Sequence, residues 1–226
     1  DSVIRFINSI DSLSYVEYAE KVPILKIVTT PPNDPYFNSG TLSPTNWHLK
    51  KINAESAWNI STGSSSIAVA VIDNEIDQSH PDLSGALWTN TGEIAGNGID
   101  DDANGYIDDV HGWDMADGDP NTIGPAPLMH GSHCAGLIGA QTNNGTGIAS
   151  IGNGIRIMPL KVTQDAANIP STIDMVAAGN SINYAVQMGA KVISMSFGGP
   201  TNYITFQNIV NSALSHSVTL VAAAGK

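Results

Sequence analysis

Residues 67–72 read IAVAVI, six apolar positions in a row with no polar break. A strand with one wet face would alternate, so an unbroken β-branched run predicts a strand covered on both faces. Residues 155–162, 192–197 and 218–224, mainly apolar with isolated polar positions, read the same way. Between these last three lie two stretches with helical character, 171–188 and 205–215, the first opening on Ser171 with Asp174 three positions on. Strand and helix therefore alternate, which predicts an α/β fold: a parallel sheet with helices on both faces and ligands at the carboxyl ends of its strands. Ahead of this, residues 3–7 and 15–19 read as two short strands about a turn, too little to fold alone. Residues 29–45, rich in Pro, Asn, Ser and Gly, read as a linker or a surface arm. The chain thus divides into 1–30 and 31–226.

Length and composition narrow the function. The 226 residues can bury one sizeable core. With 21 acidic against 9 basic side chains the formal charge is -12, which disfavours any protein that binds by neutralising phosphates and excludes a nucleic-acid partner. Metal cations are the expected counter-ions. The single cysteine, Cys134, excludes an internal disulfide and a cysteine-based zinc cluster. No apolar run approaches the roughly 20 residues that cross a bilayer, so no membrane span is predicted.

Two positions could carry chemistry. Asp73 is the first charge after IAVAVI, at the end of a buried strand where a functional group or a turn-capping carboxylate would sit. His130-Gly131-Ser132-His133-Cys134-Ala135-Gly136 opens a helix whose small residues suit close packing on a sheet, with His130 in its first turn. A third feature is Asp100-x-Asp102-x-Asn104-Gly105, followed by Asp108. It matches the first half of an EF-hand calcium loop, although His111 stands where the bidentate Glu belongs, so a solvated acidic loop is the alternative.

Taken in order, these blocks resemble the subtilisin-like serine proteases. Val71-Ile72-Asp73 with His80-Pro81-Asp82-Leu83 looks like the stretch around that family's catalytic aspartate, and His130 to Gly136 like its histidine motif. Residues 192–199 (VISMSFGG) are similar to the strand that lines the specificity pocket, and 221–225 (VAAAG) to the strand leading to the oxyanion asparagine. The resemblance implies a serine-type endopeptidase in which Asp73 orients His130 and His130 is the general base, in the chain order Asp, His, Ser that subtilisin exemplifies. It implies polypeptide substrates held along Ser196, Phe197 and Gly198. It also implies calcium, at Asp100, Asp102, Asn104 and Asp108 and at a second site formed by Asp82, Asn144 and Asp34. Residues 16–20 resemble the closing strand of an inhibitory propeptide, which implies a propeptide as intramolecular inhibitor and a secreted enzyme.

The departures are specific. Asn74 and Glu75 replace the usual Thr or Ser and Gly, and Glu75 is expected to face the surface. Cys134 replaces a more usual Val and is expected to pack beneath His130. Lys226 occupies the asparagine's place, and no nucleophile block of the Gly-Thr-Ser-Met type is present. Ser132, Ser181 and Ser196 are expected to be motif, helix and wall residues. The serine is therefore expected beyond this chain, and the chain alone is expected to be inactive. The alternative is a non-catalytic subtilisin-like fold used for binding or regulation.

Overall fold

In the computed structural model, which describes residues 2–19, 31–38, 46–124, 129–166, 172–199 and 203–225, the run at 67–72 becomes β1 (Ala68–Asp73), buried at every position. It is the middle strand of a five-stranded parallel sheet with β2 (Trp113–Asp114), β3 (Arg156–Lys161), β4 (Val192–Met195) and β5 (Thr219–Ala222), ordered β2-β3-β1-β4-β5. The described helices are α1 (Ser2–Asp11), α2 (Pro35–Asn38), α3 (Trp47–Lys51), α4 (Ala54–Trp58), α5 (His130–Gly139), α6 (Met175–Gln187) and α7 (Ile204–Ser215).

Alternate side chains of β1 go to opposite faces. Val71 joins Ile157 of β3 and Ala135 of α5 in one core cluster. Ala68, Ala70 and Ile72 join Met158 and Leu160 of β3 with Ala178, Ile182 and Ala185 of α6 in the other. Both faces are sealed, which is why this strand carries no polar side chain before its end. Each fully buried Val, Leu or Ile contributes about 1.5–3 kcal/mol. From β1 the chain runs to β2 and β3 on one side, then crosses to β4 and β5 on the other. The carboxyl end of β1 is therefore the switch point, where an open α/β sheet leaves a crevice.

Several expectations need correction. Residues 3–7 are not a strand but part of α1, and residues 15–19 form no strand. Ile4, Ile7 and Ile10 recur every third residue, a helical spacing that the β-branched composition disguised. The first unit, 1–30, is described here only by this helix and the turn after it. Within 31–226, Pro32, Asp34 and Phe37 are buried, so this part of the segment read as a linker is anchored. Residues 29–30 and 39–45 lie outside the described residues. α6 starts at Met175 because the Asp174 carboxylate accepts the Val176 and Ala177 amides. Ser171 lies outside the described residues. Among the described residues β5 is an edge strand with three of its four residues exposed.

Candidate active site

Asp73 ends β1, and the strand ladder holds it: its carbonyl accepts the Val162 amide, and its neighbour across the register is Lys161. Helix α5 meets this strand end N-terminus first. A β-carbon at Gly131 would overlap the carbonyl oxygen of Glu75 and come within 2.8 Å of Asp73 Cβ, so the backbones can approach this closely only with glycine there. The Gly131 amide donates to Asn74 Oδ1 at 3.0 Å, and the Asp77 amide donates to Ser132 Oγ at 2.9 Å. The result is His130 Nδ1 at 2.8 Å from Asp73 Oδ1, with Asp73 3% exposed and the His130 side chain 57% exposed. A carboxylate accepts, so Nδ1 carries the proton and Nε2 of the neutral ring is left with its lone pair. The Asn74 amide donates to the same Asp73 oxygen at 2.7 Å, whereas Asp73 Oδ2 is buried with no hydrogen-bond partner among the described residues.

Two titratable neighbours lie beside the pair. Glu75 is buried, 5% exposed, rather than on the surface as its charge suggested. Its Oε2 accepts the Gly124 amide at 3.2 Å, which explains how a carboxylate is tolerated there. Burial pushes the Glu75 pKa up; the Gly124 bond works against the shift, while Asp77 and Asp73 add to it. Cys134 Sγ lies 3.9 Å from both ring nitrogens of His130, one turn along α5. Burial pushes its thiol pKa up, partly offset by the Ser196 side chain. Ser196, Phe197 and Gly198 follow directly on β4, whose Met195 is level with Ile72 of β1, so they leave the sheet at the same end as Asp73. Phe197 packs on the main core, while Gly198 is exposed. Ser132 is occupied by the Asp77 amide, and Ser181 is buried in α6.

The acidic loop is arranged differently from its sequence pattern. Carboxylate oxygens of Asp100, Asp102 and Glu93 lie within 4.8 Å of one another, and Glu93 stands upstream of the twelve-residue frame in which a ligand would be sought. Asn104 Oδ1 accepts the Tyr106 amide, and the Asp108 carboxylate accepts the Asn97 and Gly98 amides. His111 Nδ1 bonds the Trp88 carbonyl. Beneath the loop, the fully buried Asp109 accepts from Asn90, Asn104 and the hydroxyl of Tyr184 in α6. The other predicted ligands gather on residues 143–148. Asp82 accepts the Asn144 side-chain amide and the Ile148 amide, and Asp34 accepts the Asn143 amide. Asp34 Oδ1 is buried with no partner among the described residues.

A fourth group was not foreseen. The fully buried Lys161 donates to Asp114, to Asp165 at 2.7 Å and to Asp117 at 3.2 Å. Burial alone would lower the pKa of its ammonium group, but the bonds to Asp114 and Asp165 outweigh it and the net direction is up.

The model of the subtilase family matches residues 64–226. Thermitase of Thermoactinomyces vulgaris is 36% identical over 194 residues, 86% of this chain and 57% of that protein. A thermophilic serine proteinase of Bacillus sp. strain AK1 is 32% identical over 99% of this chain, which takes in the first thirty residues, and 47% of that protein. A solved structure of proteases from Pseudoalteromonas arctica PAMC 21717 superposes with a TM-score of 0.66 at 25% identity, over 87% of this chain and 59% of that one. The chain spans about half the length of the curated relatives it matches.

Proposed function

The chain belongs to the subtilase family, and from that premise we propose that it carries the acid and base of a serine endopeptidase acting on polypeptides. Asp73 holds the His130 imidazole by Nδ1, and Nε2 takes the proton of a serine hydroxyl supplied by a part of the protein outside these 226 residues. Asp73 then stabilises the imidazolium that forms. The single observation that carries this reading is the 2.8 Å bond between His130 Nδ1 and Asp73 Oδ1 at the switch point of the sheet. Ser196 to Gly198, leaving the sheet beside the pair, would run along the substrate backbone. Residues 1–30 would act as the end of an inhibitory segment in a secreted precursor. The wider alignment with the Bacillus relative supports their belonging to the same protein.

Calcium would supply the positive charge that the oxygen ligands need. Asp34 Oδ1, buried and without a hydrogen-bond partner among the described residues, with Asp82 bound to the same 143–148 loop, fits a hard cation. Asp100, Asp102 and Glu93 are the donor set at the other loop, with Asn104 beside them. In both places the ion would fix loops and take no part in the chemistry.

The test is the full-length protein with a fluorophosphonate probe and a fluorogenic peptide. The wild type should be labelled and hydrolyse the peptide, and Asp73→Asn should lower kcat about 10⁴-fold by selecting the wrong tautomer. A wild-type protein that neither labels nor cleaves would overturn the reading in favour of a binding module.

A further inference from the structure

Helix α5 brings no cap of its own. A helix start leaves four amides without intrahelical partners, yet its N-cap residue, Met129, makes no side-chain cap bond. The acceptor comes from the residue that follows β1. Asn74 Oδ1 takes the Gly131 amide at 3.0 Å across 57 positions of sequence. The backbone of the same residue is tied twice more: its amide donates to Asp73 Oδ1 at 2.7 Å, and its carbonyl accepts the Thr163 hydroxyl at 2.5 Å. At 8% exposure little water can substitute for any of these bonds.

We infer that Asn74 is a positioning residue for the Asp73–His130 pair, acting as a helix cap delivered from the strand that carries one partner to the helix that carries the other. The inference rests on the protease reading. Asp73 holds His130 through one oxygen only, and more than half of the imidazole is open to solvent, so that bond alone leaves the ring free to swing. Sliding α5 along or away from β1 must first break the Asn74 cap. The cap, together with the bond from the Asp77 amide to Ser132 Oγ, therefore holds the helix start, and Asp73 holds the ring. A hydroxyl in this place is shorter by one atom. Asn reaches the Gly131 amide with a planar carbonyl while its own amide nitrogen still serves Asp73.

Two variants of the full-length protein separate this role from mere packing. Asn74→Ala removes the acceptor and keeps both backbone bonds. Asn74→Asp keeps the acceptor and adds a negative charge. Other charged or titratable groups around His130 are Asp73 on β1 and the Cys134 thiol on α5, with Glu75 and Asp77 following β1 and Lys161 at the end of β3. With rates normalised to sites titrated by fluorophosphonate, Asn74→Ala should lose kcat roughly tenfold, the size of a lost cap expressed as a rate, with KM nearly unchanged. Asn74→Asp should recover most of kcat. The base works as neutral imidazole and an added anion favours the cation, so the acidic limb of its pH profile should move to higher pH. Wild-type kcat per titrated site in Asn74→Ala overturns the inference, as does an Asn74→Asp variant no better than Asn74→Ala. If Asp73→Asn also keeps the wild-type rate, the protease reading itself has failed.

Discussion

Gly131→Ala asks whether contact between α5 and β1 sets the geometry of the pair. The new β-carbon would overlap the Glu75 carbonyl oxygen and lie 2.8 Å from Asp73 Cβ, both parts of the strand exit, so no rotamer change relieves the clash. Reaching ordinary contact requires α5 to retreat by about 1 Å. His130 retreats with it, and its 2.8 Å bond to Asp73 then lengthens out of hydrogen-bonding range. A misplacement of about 1 Å costs on the order of 10²-fold in rate, and the overpacking costs about 1–3 kcal/mol of stability. The control is Gly136→Ala on the same helix, where the added carbon meets only Ile148 Cδ1 at 3.5 Å. There the better helix propensity of alanine should stabilise by up to about 1 kcal/mol and leave the rate alone. The assay is kcat/KM on a fluorogenic peptide with the full-length protein, beside thermal unfolding of each variant. Equal rates for the two variants, or a raised melting temperature for Gly131→Ala, would refute the packing argument.

Three further outcomes follow from buried groups. Burial lifts the Glu75 pKa above its usual 4.5, so the folded state holds that proton more tightly than the unfolded one, and stability drops as pH rises through the raised value. Glu75→Gln keeps an acceptor for the Gly124 amide, so it should match the wild type in denaturant unfolding at about pH 4 and exceed it near pH 8; equal midpoints at both would count against the assignment. Calcium bound only to the folded state stabilises by about 2.7 kcal/mol at a hundredfold excess over its dissociation constant. Chelation should therefore lower the melting temperature of the full-length protein, and less so in Asp34→Asn; no change on chelation means that neither acidic site binds the ion. Tyr184→Phe takes one donor from the fully buried Asp109 and should cost about 1.5–3 kcal/mol in unfolding measurements, an unchanged midpoint being the contrary result.

How much of this was legible in the sequence depends on whether a signal is local. β1 was legible because a strand sealed on both faces admits no polar residue until it ends, and the residue that ends it is Asp73. The same apolar composition stands at β5, where among the described residues a single neighbouring strand leaves three of four residues exposed: composition reports preference for burial, not the presence of a cover. His130 was legible because glycine after it is a steric requirement of the helix start, visible in the motif itself. Asn74 was noticed only as a departure, since its partner lies 57 positions away. Glu75 was expected at the surface, the default for a carboxylate, because nothing local shows that the Gly124 amide will meet it.

Lys161 shows the limit most clearly. In sequence it is a cation near the end of a mainly apolar run that also holds Arg156. In the fold the pairing of β2 with β3 sets Asp114 directly beside it, and loops bring Asp117 and Asp165 from two other places. Three carboxylates around one ammonium still carry net negative charge, and breaking such a buried pair costs about 3–5 kcal/mol. The group therefore punishes any other alignment of β2 on β3. A shift of β2 by one residue would turn Asp114 to the opposite face and leave Lys161 buried without it. On its other side β3 pairs with β1, where Lys161 lies level with Asp73. A buried charge that no linear motif marks thus fixes the pairing of β2 with β3, one strand away from the end of β1 that carries the candidate chemistry.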